Sequence, residues 1–144
     1  TINTPSMLCI EDVLDSLKWV QKIGGLKKTI EFSNKNLSIV EKKIKESSWL
    51  DFLAKEQKTR SCTSICLKVK SALPETINQD ILKNNLSELL KYLEENNIAH
   101  DISSYRDAPV GIRIWGGATV NYKDIGILLD WLEWGYHEYI KKEK

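Results

Sequence analysis

Two arginines flank a turn near the carboxyl end of the chain, in the sequence Tyr-Arg-Asp-Ala-Pro-Val-Gly-Ile-Arg at positions 105–113. The second of them, Arg113, stands inside the apolar run Ile-Arg-Ile-Trp, where burial of a guanidinium is costly unless an anion meets it. A guanidinium suits a carboxylate, which its planar fork holds by two parallel hydrogen bonds. Spacing alone leaves two interpretations open: anion binding by Arg106 and Arg113, or an internal salt bridge to an acid such as Asp107.

A second candidate lies at the start of the chain, where Asn3 and Thr4 precede Pro5. Thr4 is suited to cap a helix whose first position is Pro5, since proline needs no hydrogen-bond acceptor there. An amide, a hydroxyl and free backbone N–H groups at a helix N-terminus also suit a phosphate. A plain helix cap is the competing interpretation of the same residues.

Other chemistry-bearing residues are sparse. His100 and His137 fall in different predicted elements, and neither has ligands at metal-binding spacing. Cys62 and Cys66 lack the second pair that would complete a zinc site, so we expect them to be small buried hydrophobic groups. The pair Gly24-Gly25 follows a helical pattern, so it is a helix terminator rather than a phosphate-binding loop. The sequence therefore predicts no catalytic residue and no metal site.

Composition narrows the class of protein. The chain has 144 residues, 42% hydrophobic and 28% charged, which is typical of one globular domain. A net charge of +1 argues against nucleic-acid binding, and apolar runs are far shorter than the roughly 20 residues of a membrane span. Three cysteines without a framework spacing favour reduced thiols and the cytoplasm. The absence of an initiator methionine favours a segment of a longer polypeptide.

Hydrophobic periodicity predicts the elements that must position these residues. Helices are expected at about 5–23, 26–45, 78 or 80 to 96, and 122–141. Strands are expected at 63–69, 98–105 and 112–115, while the apolar cluster at 49–53 fits either a strand or a helical turn. The order ααβαββα predicts an α/β (α+β) fold with a small mixed or antiparallel sheet, covered by helices on one face.

Two expectations concern the core. The second helix should face inward through a stripe at helical spacing, formed by Leu26, Ile30, Leu37, Val40 and Ile44. The strand at 63–69 should bury Ile65, Leu67 and Val69 beneath the helix that carries Leu86 and Leu90.

Four segments in order resemble the C-terminal part of the phosphoserine aminotransferase family, in its bacterial branch. They are Asn-Thr-Pro-Ser-Met-Leu-Cys at 3–9, Lys-Trp to Gly-Gly at 18–25, Thr-Arg-Ser-x-Thr-Ser-x-Cys-Leu-Lys at 59–68, and Tyr-Arg-Asp-Ala-Pro-x-Gly-Ile-Arg-Ile-Trp-Gly-Gly-Ala-Thr-Val at 105–120. The resemblance covers essentially the whole chain. It implies the small C-terminal domain of a class V, fold type I enzyme, with a linking helix at 1–24 and the domain itself at 25–144.

The resemblance also implies an activity. Enzymes of this family use pyridoxal 5'-phosphate to transfer an amino group from glutamate to 3-phosphohydroxypyruvate, giving 2-oxoglutarate and O-phosphoserine in serine biosynthesis. A second role that the resemblance suggests is in pyridoxine biosynthesis. They are cytoplasmic homodimers. The lysine that holds the cofactor belongs to the portion of the family preceding Thr1, so this chain alone is expected to be inactive.

Site residues follow from the same resemblance. Arg113 is similar to the arginine that holds the substrate α-carboxylate, and Arg106, with Tyr105 beside it, to residues that bind the substrate phosphate. Asn3 and Thr4 match the pair that reaches the cofactor phosphate of the neighbouring subunit. Many members have histidine where this chain has Tyr105, and a shorter step between the two arginines.

Two other functions stay open on the sequence. One is a different class V aminotransferase, acting on serine or on alanine and glyoxylate, which would keep Arg113 but need no phosphate site at Arg106. The other is a non-catalytic α/β module that binds a small anion through both arginines. Neither a nucleic acid nor a membrane is expected as a partner.

Overall fold

The computed structural model describes residues 4–70 and 78–141, which form a three-stranded antiparallel sheet with helices. In these ranges the helices are α1 (Met7–Lys22), α2 (Gly25–Glu46), α3 (Gln79–Glu95) and α4 (Tyr122–Gly135), and the strands are β1 (Leu50–Phe52), β2 (Ser64–Val69) and β3 (Gly111–Trp115). A short 3-10 turn spans Gln57–Thr59, and a π-helical turn, Tyr136–Ile140, continues α4. The fold class is confirmed, but the order is ααββαβα.

Two helix boundaries test the local predictions. Gly24 and Gly25 have φ angles of 111° and 73°, so the predicted left-handed break between the first two helices is confirmed. The predicted cap at Thr4, with Pro5 as the first helical residue, is wrong. The first helical hydrogen bond runs from the Ile10 N–H to the Ser6 carbonyl, so α1 begins after Ser6, which provides no side-chain cap.

The sheet tests three further predictions. Ile65 and Leu67 are buried, as the alternation predicted, and they share one core with Leu86, whereas Val69 and Leu90 are only partly buried against that core. The cluster at 49–53 contains β1. The strand predicted at 98–105 is wrong, because only Ser103 in this segment bridges to β3. Asp101 has a left-handed φ of 51°, which turns the chain instead of extending it.

The core lies between the inner face of the sheet and the helices other than α1. Trp49 stacks on Tyr136 with ring centroids 5.3 Å apart. Gly135 allows α4 to approach α3 closely, since a Cβ atom there would lie 2.3 Å from the Leu89 Cδ1 atom.

The amino-terminal part of the chain lies outside this core. No side chain of α1, a helix described in full, is buried. Val40 and Ile44 of the predicted α2 stripe are buried, but Leu26 and Ile30 are exposed. That part of the prediction is wrong, because the first turns of α2 lie beyond the reach of the sheet and α4.

Candidate anion-binding site

Arg113 lies in the middle of β3, on the face of the sheet opposite the core. Its neighbours Ile112 and Ile114 are buried, and because side chains alternate along a strand, Arg113 points to the other face. The backbone N–H of Arg113 donates to the Ile102 carbonyl at 2.8 Å, and Ser103 forms an antiparallel bridge with Ile112. The segment 101–105 is thereby fixed along the edge of β3, next to the Arg113 side chain.

The Arg113 guanidinium has two protein partners from that segment. Its Nη1 donates to the Tyr105 hydroxyl at 3.0 Å, and its Nη2 donates to Asp101 Oδ2 at 3.0 Å and to the Asp101 carbonyl at 3.4 Å. The guanidinium carbon also lies 4.6 Å from the centroid of the Tyr105 ring. The hydrogen bond to Tyr105, together with the Asp101 carboxylate, raises the pKa of Arg113, against the opposing effect of burial.

One N–H of the fork is left without a partner. Among the described residues, Arg113 Nε is the single buried side-chain nitrogen or oxygen atom that lacks a hydrogen bond. Leaving such a donor unsatisfied typically costs about 1–3 kcal/mol, so each case requires an explanation. An anionic oxygen is the natural acceptor for a guanidinium N–H.

The salt-bridge interpretation is confirmed in kind, but its expected partner is wrong. Arg113 pairs with Asp101, whereas Asp107 lies 3.6 Å from the Arg106 Nε atom. Asp107 lies beside Arg106 in the turn that the Ala108 N–H closes on the Tyr105 carbonyl, while the bridge at Ser103 brings Asp101 to β3.

Arg106 lies in a different environment from Arg113. Both Arg106 and its partner Asp107 are almost fully exposed. Arg106 and Tyr105 line a cavity of about 450 Å³ between α3 and the segment 101–111, whereas Arg113 lines a neighbouring cavity of about 430 Å³. Asp101 lines both cavities, so it lies at the boundary between the two arginines.

Arg60, which falls in one of the family-like segments, is part of an internal ion pair. Its Nη1 donates to Glu41 Oε1 at 2.9 Å, and each of the two side chains is 19% exposed. The guanidinium carbon lies 4.0 Å from the centroid of the Phe52 ring. Arg60 therefore ties α2 to the connection between β1 and β2.

The remaining predicted site residues are less informative. Thr4 is exposed ahead of α1, and Asn3 lies outside the described residues. No group of His, Cys, Asp and Glu within the described ranges could hold a metal ion. The three cysteines, all of them described, form no disulfide, and Cys62 and Cys66 are half-buried rather than buried. No described helix is long and apolar enough to cross a membrane.

Sequence reasoning missed Asn36, which holds the segment that follows β3. This buried side chain donates through Nδ2 to the carbonyls of Gly116, Gly117 and Val120 at 3.0, 3.2 and 3.0 Å. The signal was its spacing, since Asn36 lies four residues before Val40, on the buried stripe of α2. A polar residue on such a stripe points to a buried hydrogen-bonded group.

The chain is similar in sequence to two known proteins. It is 46% identical over 136 residues to phosphoserine aminotransferase of Methanosarcina mazei and 47% identical over 137 residues to that of Methanosarcina barkeri. These matches cover 94% and 95% of the chain but span only 34% of the length of either relative. No protein-family profile matches the chain.

Solved structures show the same fold. Phosphoserine aminotransferase from Bacillus circulans subsp. alkalophilus superposes with a TM-score of 0.76 at 21% identity, over 94% of this chain and 34% of that one. A second phosphoserine aminotransferase, solved in a study of radiation damage to its Schiff base, gives a TM-score of 0.74 at 18% identity, over 94% and 35%.

The fold is thus that of the C-terminal domain of a fold type I aminotransferase. The sequence identity to the two Methanosarcina proteins narrows this class. The chain is homologous to the C-terminal portion of phosphoserine aminotransferase.

Proposed function

We propose that this chain is the C-terminal domain of a phosphoserine aminotransferase that transfers the amino group of glutamate to 3-phosphohydroxypyruvate in serine biosynthesis. One observation carries the proposal: a guanidinium on the outer face of β3 has a buried, unpartnered Nε, in a chain that is 46% identical over 136 residues to the phosphoserine aminotransferase of Methanosarcina mazei. A cytoplasmic homodimer is part of the proposal, supported for the compartment by three unpaired thiols.

In this proposal Arg113 binds the α-carboxylate that both substrates share. The fork presents parallel N–H groups to a carboxylate, which fixes the orientation of the substrate as well as its charge. Tyr105 supports this role, because it holds Nη1 by a hydrogen bond and packs its ring against the guanidinium.

Arg106 and Tyr105 bind the phosphate of 3-phosphohydroxypyruvate. Arg106 is restrained only by an exposed pair with Asp107, so its side chain is free to turn toward a phosphate. The Tyr105 oxygen accepts a hydrogen bond from Arg113, and its own O–H remains able to donate to a phosphate oxygen. Tyr105 thus connects the two subsites, in a place where many family members have histidine.

Pyridoxal phosphate supplies an electron sink for the electron pair released at the substrate α-carbon. Thr4 fits a single hydrogen bond to the cofactor phosphate, because its side chain is exposed and caps no helix. We assign Asn3 to the same phosphate from the family resemblance. The lysine that bonds the cofactor is assigned to the remainder of the enzyme, which precedes this domain.

Within the chain, we assign residues 1–24 to a segment, containing α1, that links to the preceding domain, and residues 25–144 to the small domain. The glycine break at Gly24 and Gly25 supports this boundary. The apolar side chains of α1 support it too, since another part of the enzyme would cover them; they include Met7, Leu8, Val13, Leu14 and Leu17, all exposed here.

The proposal is tested with the full-length polypeptide and with this chain alone. The full-length enzyme should aminate 3-phosphohydroxypyruvate at the expense of glutamate, and this chain mixed with pyridoxal phosphate should show no turnover. Activity on glyoxylate but not on the phosphorylated keto acid would assign the enzyme to the alanine–glyoxylate type and contradict the proposal.

Replacement of Arg106 tests the phosphate subsite. Arg106→Ala should slow the half-reaction with 3-phosphohydroxypyruvate by roughly tenfold or more, because a lost charge-assisted contact costs about 1.5–3 kcal/mol. The half-reaction with glutamate should be spared. Lys58→Ala, which removes an exposed cation elsewhere, serves as the matched control. Equal losses in both half-reactions would remove the phosphate assignment.

A further inference from the structure

The acid that pairs with Arg113 is far more exposed than the arginine itself. The Asp101 side chain is 85% exposed and that of Arg113 is 25% exposed, although their charged atoms lie 3.0 Å apart. A single carboxylate oxygen makes the contact. Exposed pairs of this kind are weak, because solvent screens them and both side chains lose freedom.

The position of this contact on the guanidinium is significant. A carboxylate binds bidentately along one of two edges, Nε with Nη2 or Nη1 with Nη2, so Nη2 belongs to both edges. Asp101 occupies Nη2 through its carboxylate and its carbonyl. A second carboxylate bound along either edge therefore uses Nη2 and lies next to the negative charge of the Asp101 side chain, which opposes its binding.

The surroundings of Asp101 allow it to be exchanged for an incoming carboxylate. It lies at the boundary between the two cavities, its side chain extends into solvent, and its backbone has a left-handed φ of 51°. Left-handed residues other than glycine are uncommon, and aspartate and asparagine are among those that adopt this conformation most readily. Tyr105 remains bonded to Nη1 when Asp101 departs, so the guanidinium stays oriented.

We propose that Asp101 is a resident carboxylate that holds Arg113 in the absence of substrate and is displaced when the α-carboxylate of a substrate binds. This inference rests on the proposed function, in which Arg113 is the carboxylate ligand. The exchange replaces a one-oxygen, solvent-exposed contact by a bidentate one that also offers an acceptor to the buried Nε. Asp101 therefore lowers the apparent affinity of the enzyme for every substrate that carries an α-carboxylate.

The test uses Asp101→Asn in the full-length holoenzyme. Asparagine keeps the shape, an acceptor oxygen and the tolerance for a left-handed φ, but it lacks the competing charge. The KM for glutamate and for 3-phosphohydroxypyruvate should both fall by about two- to fivefold, the range expected for an exposed ion pair. The Kd of glutarate, an unreactive dicarboxylate, should fall by the same factor in calorimetric titration.

Two controls isolate the effect. Glu95→Gln removes one negative charge from an exposed pair on α3 and should leave the Kd of glutarate unchanged. In an Arg113→Lys background, Asp101→Asn should give a smaller gain, because lysine keeps the charge for which Asp101 competes but offers no bidentate edge. Asp101→Gly also suits the left-handed backbone and should act in the same direction as Asp101→Asn.

The outcomes separate this inference from the proposed function. An active wild-type enzyme whose Asp101→Asn variant binds glutarate equally well or more weakly would overturn the displacement of Asp101, with the function intact. Weaker binding would identify Asp101 instead as a permanent support of Arg113. Absence of transamination in the wild-type enzyme would remove the proposed function, and this inference with it.

Discussion

Arg60 and Arg113 have similar partners in different regions of the molecule. Each guanidinium packs on an aromatic ring, at 4.0 and 4.6 Å, and each pairs with a carboxylate, at 2.9 and 3.0 Å. The carboxylate that meets Arg60 is 19% exposed, whereas the one that meets Arg113 is 85% exposed. Only Arg113, within the described residues, retains a buried N–H without a partner.

The difference shows how a structural arginine differs from one available to a ligand. Around Arg60 both charged side chains are largely shielded from water, each only 19% exposed, so loss of either would leave the other without its ion-pair partner in a poorly solvated place. Around Arg113 the acid can return to solvent at little cost, and an unsatisfied donor remains for an incoming anion. The exposure of the partner, rather than the presence of a salt bridge, distinguishes the two.

The backbone that follows β3 is held by Asn36 and not by the Arg113 side chain. Asn36→Asp tests this, because it replaces three hydrogen bonds by a buried carboxylate that faces carbonyl oxygens. We expect a loss of about 3 kcal/mol or more in the free energy of unfolding, measured by urea denaturation. Asn34→Asp, on the exposed face of the same helix, should change it by less than about 0.5 kcal/mol. A loss below about 1 kcal/mol for Asn36→Asp would show that the hydrogen bonds of Asn36 are dispensable for stability.

Arg60→Met should destabilise the chain by about 2 kcal/mol, because Glu41 is left half-buried without its cation. Lys58→Met, at an exposed pair two residues away, should have an effect near zero. Adding Glu41→Leu to Arg60→Met should restore much of the loss, since no unpaired charge then remains. If Arg60→Met leaves the free energy of unfolding unchanged, Arg60 does not stabilise the fold, and the contrast with Arg113 fails.

Arg113→Met should change the free energy of unfolding by less than about 1 kcal/mol. The variant loses an exposed ion pair but also removes the buried N–H that lacks a partner. Thermal and urea unfolding of this chain, side by side with Arg60→Met, provide the measurement. A loss as large as that of Arg60→Met would make Arg113 a structural arginine and sink the distinction.

The fold was predictable where the pattern was local. The alternation in β2 and the glycine pair at the start of α2 each predict their local structure from a few neighbouring residues. The strand predicted at 98–105 was wrong, because the apolar content of this segment is typical of a strand. The left-handed conformation of Asp101, which turns the chain there, is not revealed by a single sequence. The apolar stripe of α2 was predicted to begin at Leu26, but Leu26 is exposed beyond the edge of the core. Periodicity shows which face of a helix is apolar, but it does not show where the core ends.

The candidate site was predictable in its central residue but not in its partners. An arginine within an apolar strand is unusual enough to single out Arg113. Arg113 pairs with Asp101, because a bridge along the edge of the sheet brings the segment of Asp101 next to β3. Asp107 is nearer to Arg113 in sequence, but it pairs with Arg106 instead. The role of Asn36 also depends on a contact across 80 or more residues, which local pattern does not encode.

Single-turnover kinetics of both half-reactions in full-length Arg113→Lys test the central claim that Arg113 holds the substrate carboxylate. Lysine keeps the charge but loses the fork, so bidentate binding is no longer possible. Because glutamate and 3-phosphohydroxypyruvate share the α-carboxylate, kcat/KM should fall by roughly tenfold or more in both half-reactions. Unaltered kinetics, or a loss confined to one substrate, would contradict the assignment.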